Sequence, residues 1–387
     1  DFIDGKHQLL PLYGPSSNGA SSALVSSAAD MSKLMYYLLN STEQSTVLAK
    51  SKLDQMETVH STLASNLGLQ TGYALGNDLF PNNKKITFRG HNGKGEGFVS
   101  WLFYNRTVGL AYTVSANCNL NLWPVSRVIE EFLTKELSPP LLSSLPIDRK
   151  AVEPLLGYYK FMNPKNERWE FFKRIFSGIH LAAIENDKLV VKRNNGAIDS
   201  LVHTGHGIYR LKEDILPSLI IGKDNEGHPF VQGHGGSFYL KAAYQPIMLQ
   251  QIFIYLGIAS GLLSIIFTIV GMPMVWFRKI KFIDLCFVFL PALGSLSFLY
   301  SYRLMGQTDA VNKQLFASAN LTTFSIFAGM VIFGISVFAV GYLLYRRWHV
   351  IKKRWVRYAL AFNFMFLLYL VVLLSIHGWI GVPIWTM

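Results

Sequence analysis

The chain has 387 residues, of which half are hydrophobic and 16% are charged, and its formal net charge is +12 at pH 7. This length allows two or three domains, and the charged fraction lies below the roughly 25% of a typical soluble domain. The positive charge does not predict nucleic-acid binding, because the soluble part of the sequence has no basic stripe with interleaved stacking aromatics.

The polarity of the chain changes near residue 245. The preceding residues read as soluble, whereas charges beyond Ala242 occur only in short groups between long apolar runs. An outward-facing membrane protein normally begins with an export signal. None follows Asp1, so we expect that an N-terminal part precedes this sequence. Cys118 and Cys286 predict neither a disulfide nor a metal-binding pair.

The N-terminal part predicts a helix, about four antiparallel strands and a closing helix. Ser27-Ala-Ala-Asp30 is typical of a capping box at a helix start. The apolar residues that follow it at helical spacing are Met31, Leu34, Met35, Leu38 and Leu39. Strands are predicted at residues 72–79, 85–89, 98–104 and 108–116, with turns at residues 81–83 and 105–107. Pro124 suits the first turn of the closing helix. The predicted apolar face of that helix consists of Val125, Val128, Ile129, Phe132 and Leu133.

A second soluble segment follows a linker rich in proline and serine at residues 137–147. Residues 148–245 contain short strand-like runs with turn signals at regular spacing, at residues 185–187, 194–196 and 224–227. This pattern predicts an accessory β-meander, closed as a small barrel or a sandwich.

The C-terminal part, residues 250–387, predicts a membrane domain. A helix needs ~20 apolar residues to span a bilayer. Four segments meet this requirement, at about residues 252–277, 285–302, 321–345 and 358–380. The lipid bilayer is therefore an expected partner.

Basic loops predict the orientation of these segments. Positive loops stay on the cytoplasmic side, so we expect residues 278–281 and 346–357 in the cytoplasm and residues 303–313 outside. The first crossing then begins outside. This predicts a multi-pass protein of the plasma (inner) membrane whose residues 1–245 are extracytoplasmic.

One motif suggests chemistry. His91-Asn92-Gly93 lies at the predicted end of a strand, before a glycine-rich turn and an apolar strand. It resembles the third active-site motif of serine β-lactamase-type hydrolases. Residues 18–34 are similar to the family's small-residue loop that enters a helix, and residues 109–117 to the strand that ends in an Asn. Over residues 10–136 this order resembles the C-terminal part of the class C β-lactamase and penicillin-binding-protein superfamily.

The resemblance implies a role for each residue of the motif. An extended acyl substrate would lie along the strand edge as an added strand. His91, with Asn92 beside it, would place a donor near the nucleophile and the substrate carboxylate. Gly93 would let the substrate backbone approach without a Cβ clash. The backbone N–H of Lys94 would form half of an oxyanion hole. The family implies no cofactor and no metal.

The chain departs from the family in one decisive respect. The family nucleophile lies in Ser-x-x-Lys, and neither that motif nor Tyr-x-Asn occurs here. Ser16-Ser17-Asn18 lies too close to His91 for the family's order, and Ser115-Ala116-Asn117 follows it, so we interpret both as coincidence. We therefore expect no nucleophile in this chain and explain its absence by a truncated start. A pseudoenzyme is the alternative.

Weaker signals favour structural interpretations. Residues 93–97 lack the Gly-Lys-Ser/Thr of a phosphate-binding loop. Residues 233–236 (Gly-His-Gly-Gly) resemble a lipase oxyanion segment, but no Gly-x-Ser-x-Gly accompanies them, which favours a β-turn. A zinc site is not favoured, because carboxylates at metal spacing are absent around His203, His206, His228 and His234. His377 is expected near the membrane interface with Trp379 and Trp385.

Together these features predict an α+β fold. A partial β-lactamase-like domain (residues 1–136), with an antiparallel sheet and flanking helices, would precede a small all-β accessory domain and a four-helix transmembrane region. The expected function is that of the C-terminal part of a membrane-anchored serine hydrolase of the β-lactamase or D-Ala-D-Ala peptidase type. It would act through an acyl-enzyme on a peptidoglycan peptide or β-lactam-like substrate. The alternatives are a non-catalytic peptide- or cell-wall-binding module and a regulatory membrane protein.

Overall fold

The computed structural model describes residues 2–3, 6–7, 24–80, 83–95, 97–118, 120–184, 188–306, 319–383 and 385. The predicted features at Ser16-Ser17-Asn18, at residues 18–23, at residues 81–82 and at residues 185–187 lie outside the described residues. The chain divides into two compact units. Residues 1–163 and 177–242 form the first, and residues 164–176 and 243–387 form the second.

The first unit begins with two short strands and three helices. Strands β1 (Phe2–Ile3) and β2 (Lys6–His7) pair with each other, and helices α1 (Ala28–Asn40), α2 (Lys50–Glu57) and α3 (Leu63–Asn66) follow. The predicted start of α1 is confirmed, because the Ser27 hydroxyl accepts a hydrogen bond from the Asp30 backbone N–H at 3.1 Å. Leu38 of α1 packs with Leu53 and Tyr104 in a small core.

A four-stranded antiparallel sheet carries the sequence motif. Its strands are β3 (Asp78–Phe80), β4 (Phe88–Gly95), β5 (Phe98–Asn105) and β6 (Leu110–Ala116), in that order. The predicted strand at residues 72–79 is mostly wrong, since residues before Asp78 form a loop held by bonds from Ala74 N to Asn77 O and from Leu75 N to Met56 O. The strand predicted at residues 85–89 instead starts at Phe88 and continues through Gly95.

Helix α4 (Trp123–Leu133) packs against this sheet with a face that differs from the predicted one. Ile129 and Leu133 pack on the core around Phe88 and Phe103. Val125, Val128 and Phe132 are exposed, and Ser126 and Glu130 are buried in their place. The prediction failed for these three residues because the Tyr112 hydroxyl lies under α4 and bonds both Ser126 and Glu130.

The accessory segment forms a closed eight-stranded antiparallel barrel, which is one of the two predicted alternatives. Its strands, closed between β9 and β10, are β7 (Gly157–Phe161), β8 (Ile179–Ile184), β9 (Lys188–Arg193), β10 (Ile198–Gly205), β11 (Ile208–Leu211), β12 (Leu219–Lys223), β13 (Pro229–Gly233) and β14 (Phe238–Lys241). Helix α5 (Arg149–Val152) and a 3-10 turn at Glu153–Leu155 precede β7, and Val152 and Leu155 pack on the apolar barrel core.

The second unit is helical. It comprises α6 (Glu167–Phe176), α7 (Tyr244–Trp276), α8 (Phe282–Met305), α9 (Leu321–Arg347) and α10 (Arg354–Ile376). The last four are long and apolar enough to cross a membrane, as predicted. Small residues let these helices approach closely. A Cβ on Gly294 or Gly329 would overlap the hydroxyl of Ser336 or Ser301 on a neighbouring helix.

Helix α6 is a feature that the sequence prediction did not contain. It lies in the connection between β7 and β8, within the segment assigned to the accessory domain, yet it groups with the apolar helices. Its buried side chains Phe171 and Ile175 pack in one core with Ile254, Val371 and Trp379. The connection therefore supplies a short helix to the helical unit.

Candidate functional site

The strand β4 brings the predicted motif to an open sheet edge. Strand β3 pairs with β4 only as far as Asp78 opposite Gly90. Strand β5 continues along the other side, from His91 opposite Leu102 to Gly95 opposite Phe98. Residues 91–95 thus pair on one side only within the described strands. Alternate residues of a strand direct their N–H and C=O to the same edge, so at least two of these five residues offer both groups to the open edge.

The predicted position of the motif at the end of a strand is wrong in one respect. His91, Asn92 and Gly93 lie inside β4, and the turn comes only after Gly95. Gly97 makes this turn possible with a φ of +74°, a value that favours glycine. The longer strand arises because β4 and β5 keep continuous register across the hairpin.

Gly90 fixes the start of the open edge. Its φ is +154°, and a Cβ at this position would overlap the backbone carbonyl oxygen of Leu102 on β5. No other residue type fits without moving one of the two strands. Gly90 could not be predicted as part of the site, because its signal in the sequence is a single glycine within a strand.

His91 has a partner that the sequence did not indicate. The hydroxyl of Tyr73 lies 3.0 Å from Nε2 of His91, and the two rings meet edge to face with centroids 5.8 Å apart. Both side chains are exposed to solvent. The imidazole is therefore accessible and is oriented by a phenol, an arrangement that can hold or pass a proton.

Gly93 leaves space above the strand. Among the described residues, a Cβ built on it would meet only the Ser100 carbonyl oxygen, at 3.4 Å. Ser100 is the cross-strand partner of Gly93, and its hydroxyl bonds the hydroxyl of Ser115 on β6. The side chains of Asn92 and Lys94 are exposed, and neither makes a hydrogen bond to another described residue. The motif is thus accessible at all four of its predicted positions.

A polar network lies next to the motif. The Arg89 guanidinium donates to Oδ1 of Asn77 at 3.2 Å, and the Asn77 amide donates to the Tyr104 hydroxyl at 2.8 Å. That hydroxyl donates in turn to Oε1 of Glu57 at 2.9 Å. Burial raises the pKa of Tyr104 above its usual range, so it remains a donor at neutral pH. The network links α2 to β4 at Arg89 and to β5 at Tyr104, directly before the open edge begins.

Glu57 also belongs to an ion-pair cluster. Nη1 of Arg106 lies 2.7 Å from Oδ1 of Asp54 and 3.1 Å from Oε2 of Glu57. Both acids are on α2, and Arg106 follows β5 directly. The pKa of Asp54 is held below its usual value by its hydrogen bonds to Lys50 and Arg106. This cluster therefore links the same helix, α2, to the end of β5.

The weaker sequence signals lie elsewhere. Residues 233–236 form a turn closed by a bond from Gly236 N to Gly233 O. Nδ1 of His203 contacts Pro146 O at 3.0 Å, and Nδ1 of His234 contacts Ser218 O at 3.2 Å. Among the residues that the structure describes, no three His, Cys, Asp or Glu side chains gather as a metal-binding group. His377 follows the end of α10 and lies against Phe171.

Comparisons with known proteins give no family. No protein-family model matches the chain, and no curated protein matches it. Similar solved structures include SurE with D-Leu, at 17% identity and a TM-score of 0.31, with 56% of this chain and 50% of that chain covered. A second structure of SurE has 17% identity, a TM-score of 0.32 and 56% and 48% coverage.

An octameric penicillin-binding protein homologue from Pyrococcus abyssi is similar at 15% identity and a TM-score of 0.23. The match covers 56% of this chain and 47% of that chain. The chain thus spans about half the length of each of these structures. At such TM-scores the likeness carries no argument about fold or function, so the functional interpretation depends on the residues themselves.

Proposed function

We propose that this chain is the C-terminal part of a membrane-anchored, extracytoplasmic serine hydrolase of the β-lactamase or D-Ala-D-Ala peptidase type. The observation that carries the proposal is the open edge of β4 at residues 91–95. There His91 and Gly93 are accessible at the positions that the family resemblance assigns to substrate contact. The four apolar helices would hold this part of the protein at the bilayer.

The open edge suits an extended substrate. A peptide or acyl-amide that lies along β4 would form main-chain hydrogen bonds as an added strand. Gly93 has no side chain to hinder its backbone, and a Cβ there would narrow the approach. His91, held by Tyr73, would donate to a substrate carboxylate or to the nucleophile. Substrate recognition would therefore use main-chain hydrogen bonds and the His91 imidazole rather than a metal.

The chemistry itself needs a group that this sequence lacks. In the proposed reaction a serine hydroxyl attacks the carbonyl carbon of an amide or ester while its proton passes to a base. The tetrahedral intermediate then expels the amine or alcohol, which takes up the proton from that base, and the acyl-enzyme remains. Water then attacks the acyl-enzyme and restores the serine. The backbone N–H of Lys94 would bind the developing oxyanion, a contact worth roughly 10²–10³ in rate. The nucleophile would come from residues that precede Asp1 in the complete protein.

Covalent labelling tests this proposal directly. Membranes that contain the complete gene product are treated with a fluorescent penicillin, and membranes that contain only residues 1–387 are treated in parallel. We expect labelling of the complete protein alone, because Ser-x-x-Lys does not occur in the shorter chain. Absence of label on the complete protein, under conditions that label a penicillin-binding protein added as a standard, would contradict the hydrolase proposal.

Matched variants distinguish an effect on the site from an effect on the fold. Gly93→Ala adds a methyl group at the open edge, whereas Gly235→Ala adds one in a barrel turn where no contact from the described part of the chain lies within 4 Å. We expect Gly93→Ala and His91→Ala to slow labelling of the complete protein, the latter by roughly 10²-fold, as for loss of one transition-state donor. Gly235→Ala should label at the original rate.

A non-catalytic peptide-binding module is the second candidate, favoured by the absence of Ser-x-x-Lys from the sequence. Binding of a D-alanine-terminated peptide to residues 1–387 in nanodiscs distinguishes it. Saturable binding that Gly93→Ala weakens, together with no labelling of the complete protein, would identify the module.

A further inference from the structure

We propose that the barrel is a functional part of the candidate site, because it holds the segment at residues 69–73 in the position where Tyr73 bonds His91. We call these residues the Tyr73 segment. In this view Tyr73 is a positioning residue for His91, and the barrel gives the segment its place. The role in catalysis rests on the proposed hydrolase function, but the contact itself can be measured without it.

The first contact of the Tyr73 segment with the barrel is apolar. Leu69 is 1% exposed and belongs to one core with Ile220 of β12 and Phe230 of β13. Helix α3 adds a polar contact just before it, since the backbone N–H of Ala64 donates to Oε1 of Gln232 at 2.8 Å. The start of the segment is thereby buried against two neighbouring barrel strands.

The second contact is a hydrogen bond at the middle of the segment. The hydroxyl of Thr71 donates to the Pro217 carbonyl oxygen at 2.6 Å. Pro217 lies just before β12, and Thr71 is itself buried. A valine at this position would keep the volume but would leave the Pro217 carbonyl without this donor.

The third contact involves Gly72, which directly precedes Tyr73. Its φ is +151°, and a Cβ on it would lie 3.0 Å from the backbone carbonyl oxygen of His234 in the barrel turn. His234 is fixed in turn by a bond from its backbone N–H to Ser218 O at 2.8 Å. A side chain larger than hydrogen at residue 72 would therefore push the segment away from the barrel.

Tyr73 depends on this backbone placement. Its side chain is 48% exposed, so packing around the ring holds it only in part. Its hydroxyl nevertheless lies 3.0 Å from Nε2 of His91, and a displacement of about 1 Å would exceed hydrogen-bond range. A phenol that donates to Nε2 keeps the neutral ring proton on Nδ1. The barrel would thus influence which nitrogen of His91 can donate.

The test follows the ring nitrogens of His91. Residues 1–387 are labelled with ¹⁵N-histidine, placed in nanodiscs and studied by NMR near pH 8.5, where an ordinary histidine is neutral. The signals of His91 are identified as those lost in His91→Gln. We expect the native chain to carry the proton mainly on Nδ1, and Tyr73→Phe to shift the signals towards the tautomer with the proton on Nε2.

Variants at the contact between the Tyr73 segment and the barrel test whether the barrel positions Tyr73. Thr71→Val and Gly72→Ala should shift the His91 signals in the same direction as Tyr73→Phe. Thr71→Ser keeps the hydroxyl and should restore the native signals. Thr134→Val is the matched control, because it removes a hydroxyl-to-carbonyl bond to Glu130 that lies outside the Tyr73 segment. Thermal unfolding of each variant shows whether the fold is retained, and Thr71→Val serves alone if Gly72→Ala fails to fold.

Two results would overturn the proposal. If Tyr73→Phe leaves the His91 signals unchanged, Tyr73 does not position the ring. If Tyr73→Phe shifts them but Thr71→Val and Gly72→Ala do not, the segment holds its place without the barrel. Neither readout requires a reaction with a penicillin, so failure of this inference can be distinguished from failure of the hydrolase proposal.

Discussion

The imidazole of His377 stacks on the phenyl ring of Phe171, with ring centroids 3.8 Å apart and 8° between the planes. Phe171 lies on α6, and His377 follows the last helix of the chain. The indole N–H of Trp379 donates to the Arg168 carbonyl oxygen at 2.7 Å, beside this stack. Gln251 of α7 donates to the Ile175 carbonyl oxygen at 2.7 Å. Helix α6 is therefore held by ring stacking and by hydrogen bonds to its backbone.

Removal of the Phe171 ring should destabilise the helical unit. Phe171 is 1% exposed, and truncation of a buried phenylalanine to alanine costs about 3–5 kcal/mol. We expect Phe171→Ala to lower the unfolding temperature of residues 1–387 in nanodiscs. Phe362→Ala is the matched control, because that ring is 56% exposed on α10. Equal unfolding temperatures for the two variants would contradict the packing of α6.

The same stack predicts a dependence on pH. Burial lowers the pKa of His377 from its ordinary value of 6.5. The unfolded chain then binds this proton at a higher pH than the folded chain, so the contribution of the neutral ring is fully present above pH 6.5 and is lost as the pH falls through the folded pKa. We expect the unfolding temperature of His377→Phe to fall less than that of the native chain on acidification. If the unfolding temperatures of the two proteins fall in parallel on acidification, His377 does not contribute to the loss of stability.

Glu130 predicts the opposite dependence in the first unit. It is 3% exposed, it accepts a hydrogen bond from the Tyr112 hydroxyl at 2.6 Å, and burial raises its pKa above 4.5. The folded chain therefore keeps the proton to higher pH than the unfolded chain. Stability from this group is fully present below the unfolded pKa and is lost as the pH rises through the folded pKa.

Glu130→Gln should remove this loss, because the amide stays neutral and its oxygen can still accept from Tyr112. The measurement is chemical unfolding of the first unit, followed by tryptophan fluorescence, from about pH 4 to about pH 8. Glu131→Gln is the control, since that neighbouring side chain is 68% exposed. If the two variants show the same pH profile, Glu130 is not the responsible group.

Gly90→Ala should disturb the open edge of β4. Its Cβ would overlap the Leu102 carbonyl oxygen, so β4 and β5 must separate locally. Gly76→Ala controls for backbone strain alone, because Gly76 also has a positive φ of +62° but a Cβ on it would meet no described residue within 4 Å. Strain of this kind costs roughly 1–2 kcal/mol. We expect a larger loss of unfolding free energy for Gly90→Ala, and faster amide exchange in β4. An equal loss would indicate that the overlap relaxes.

The proposed membrane orientation can be tested by cysteine labelling. In a background with Cys118→Ala and Cys286→Ala, single cysteines replace Lys33, Lys279 or Lys352. We expect a membrane-impermeant maleimide to label Lys33→Cys in intact cells, because Lys33 is exposed in the part assigned to the outside. The other two should react only after the cells are opened. Labelling of Lys279→Cys in intact cells would show that the orientation is the opposite of the proposed one.

Some elements could be predicted because their signals are local. The start of α1 follows from the Ser27 cap, and the four apolar helices follow from length and hydropathy. The antiparallel strands of the accessory segment follow from turn signals at regular spacing, although this pattern left both a barrel and a sandwich open. In each case the signal lies in residues that are close together in sequence.

Other features depend on residues that are distant in sequence. The strand predicted at residues 72–79 is largely a loop, because the backbone N–H of Leu75 donates to the carbonyl oxygen of Met56 on α2 instead of to a neighbouring strand. The buried face of α4 contains Ser126 and Glu130 since Tyr112 lies beneath them. The pairing of Tyr73 with His91 joins a loop to a strand and has no motif. Hydrophobic periodicity cannot report such polar contacts.

The position of α6 in the chain has a consequence for proteolysis. The chain passes between the two units at residues 163–164, 176–177 and 242–243. A cut after residue 242 leaves residues 1–242 without a covalent bond to the four long helices, but this fragment still contains Phe171 and the rest of α6. We expect it to remain in the membrane fraction after such a cut. Shedding of the first unit would require two further cleavages, one on each side of α6, or the withdrawal of α6 from its aromatic neighbours.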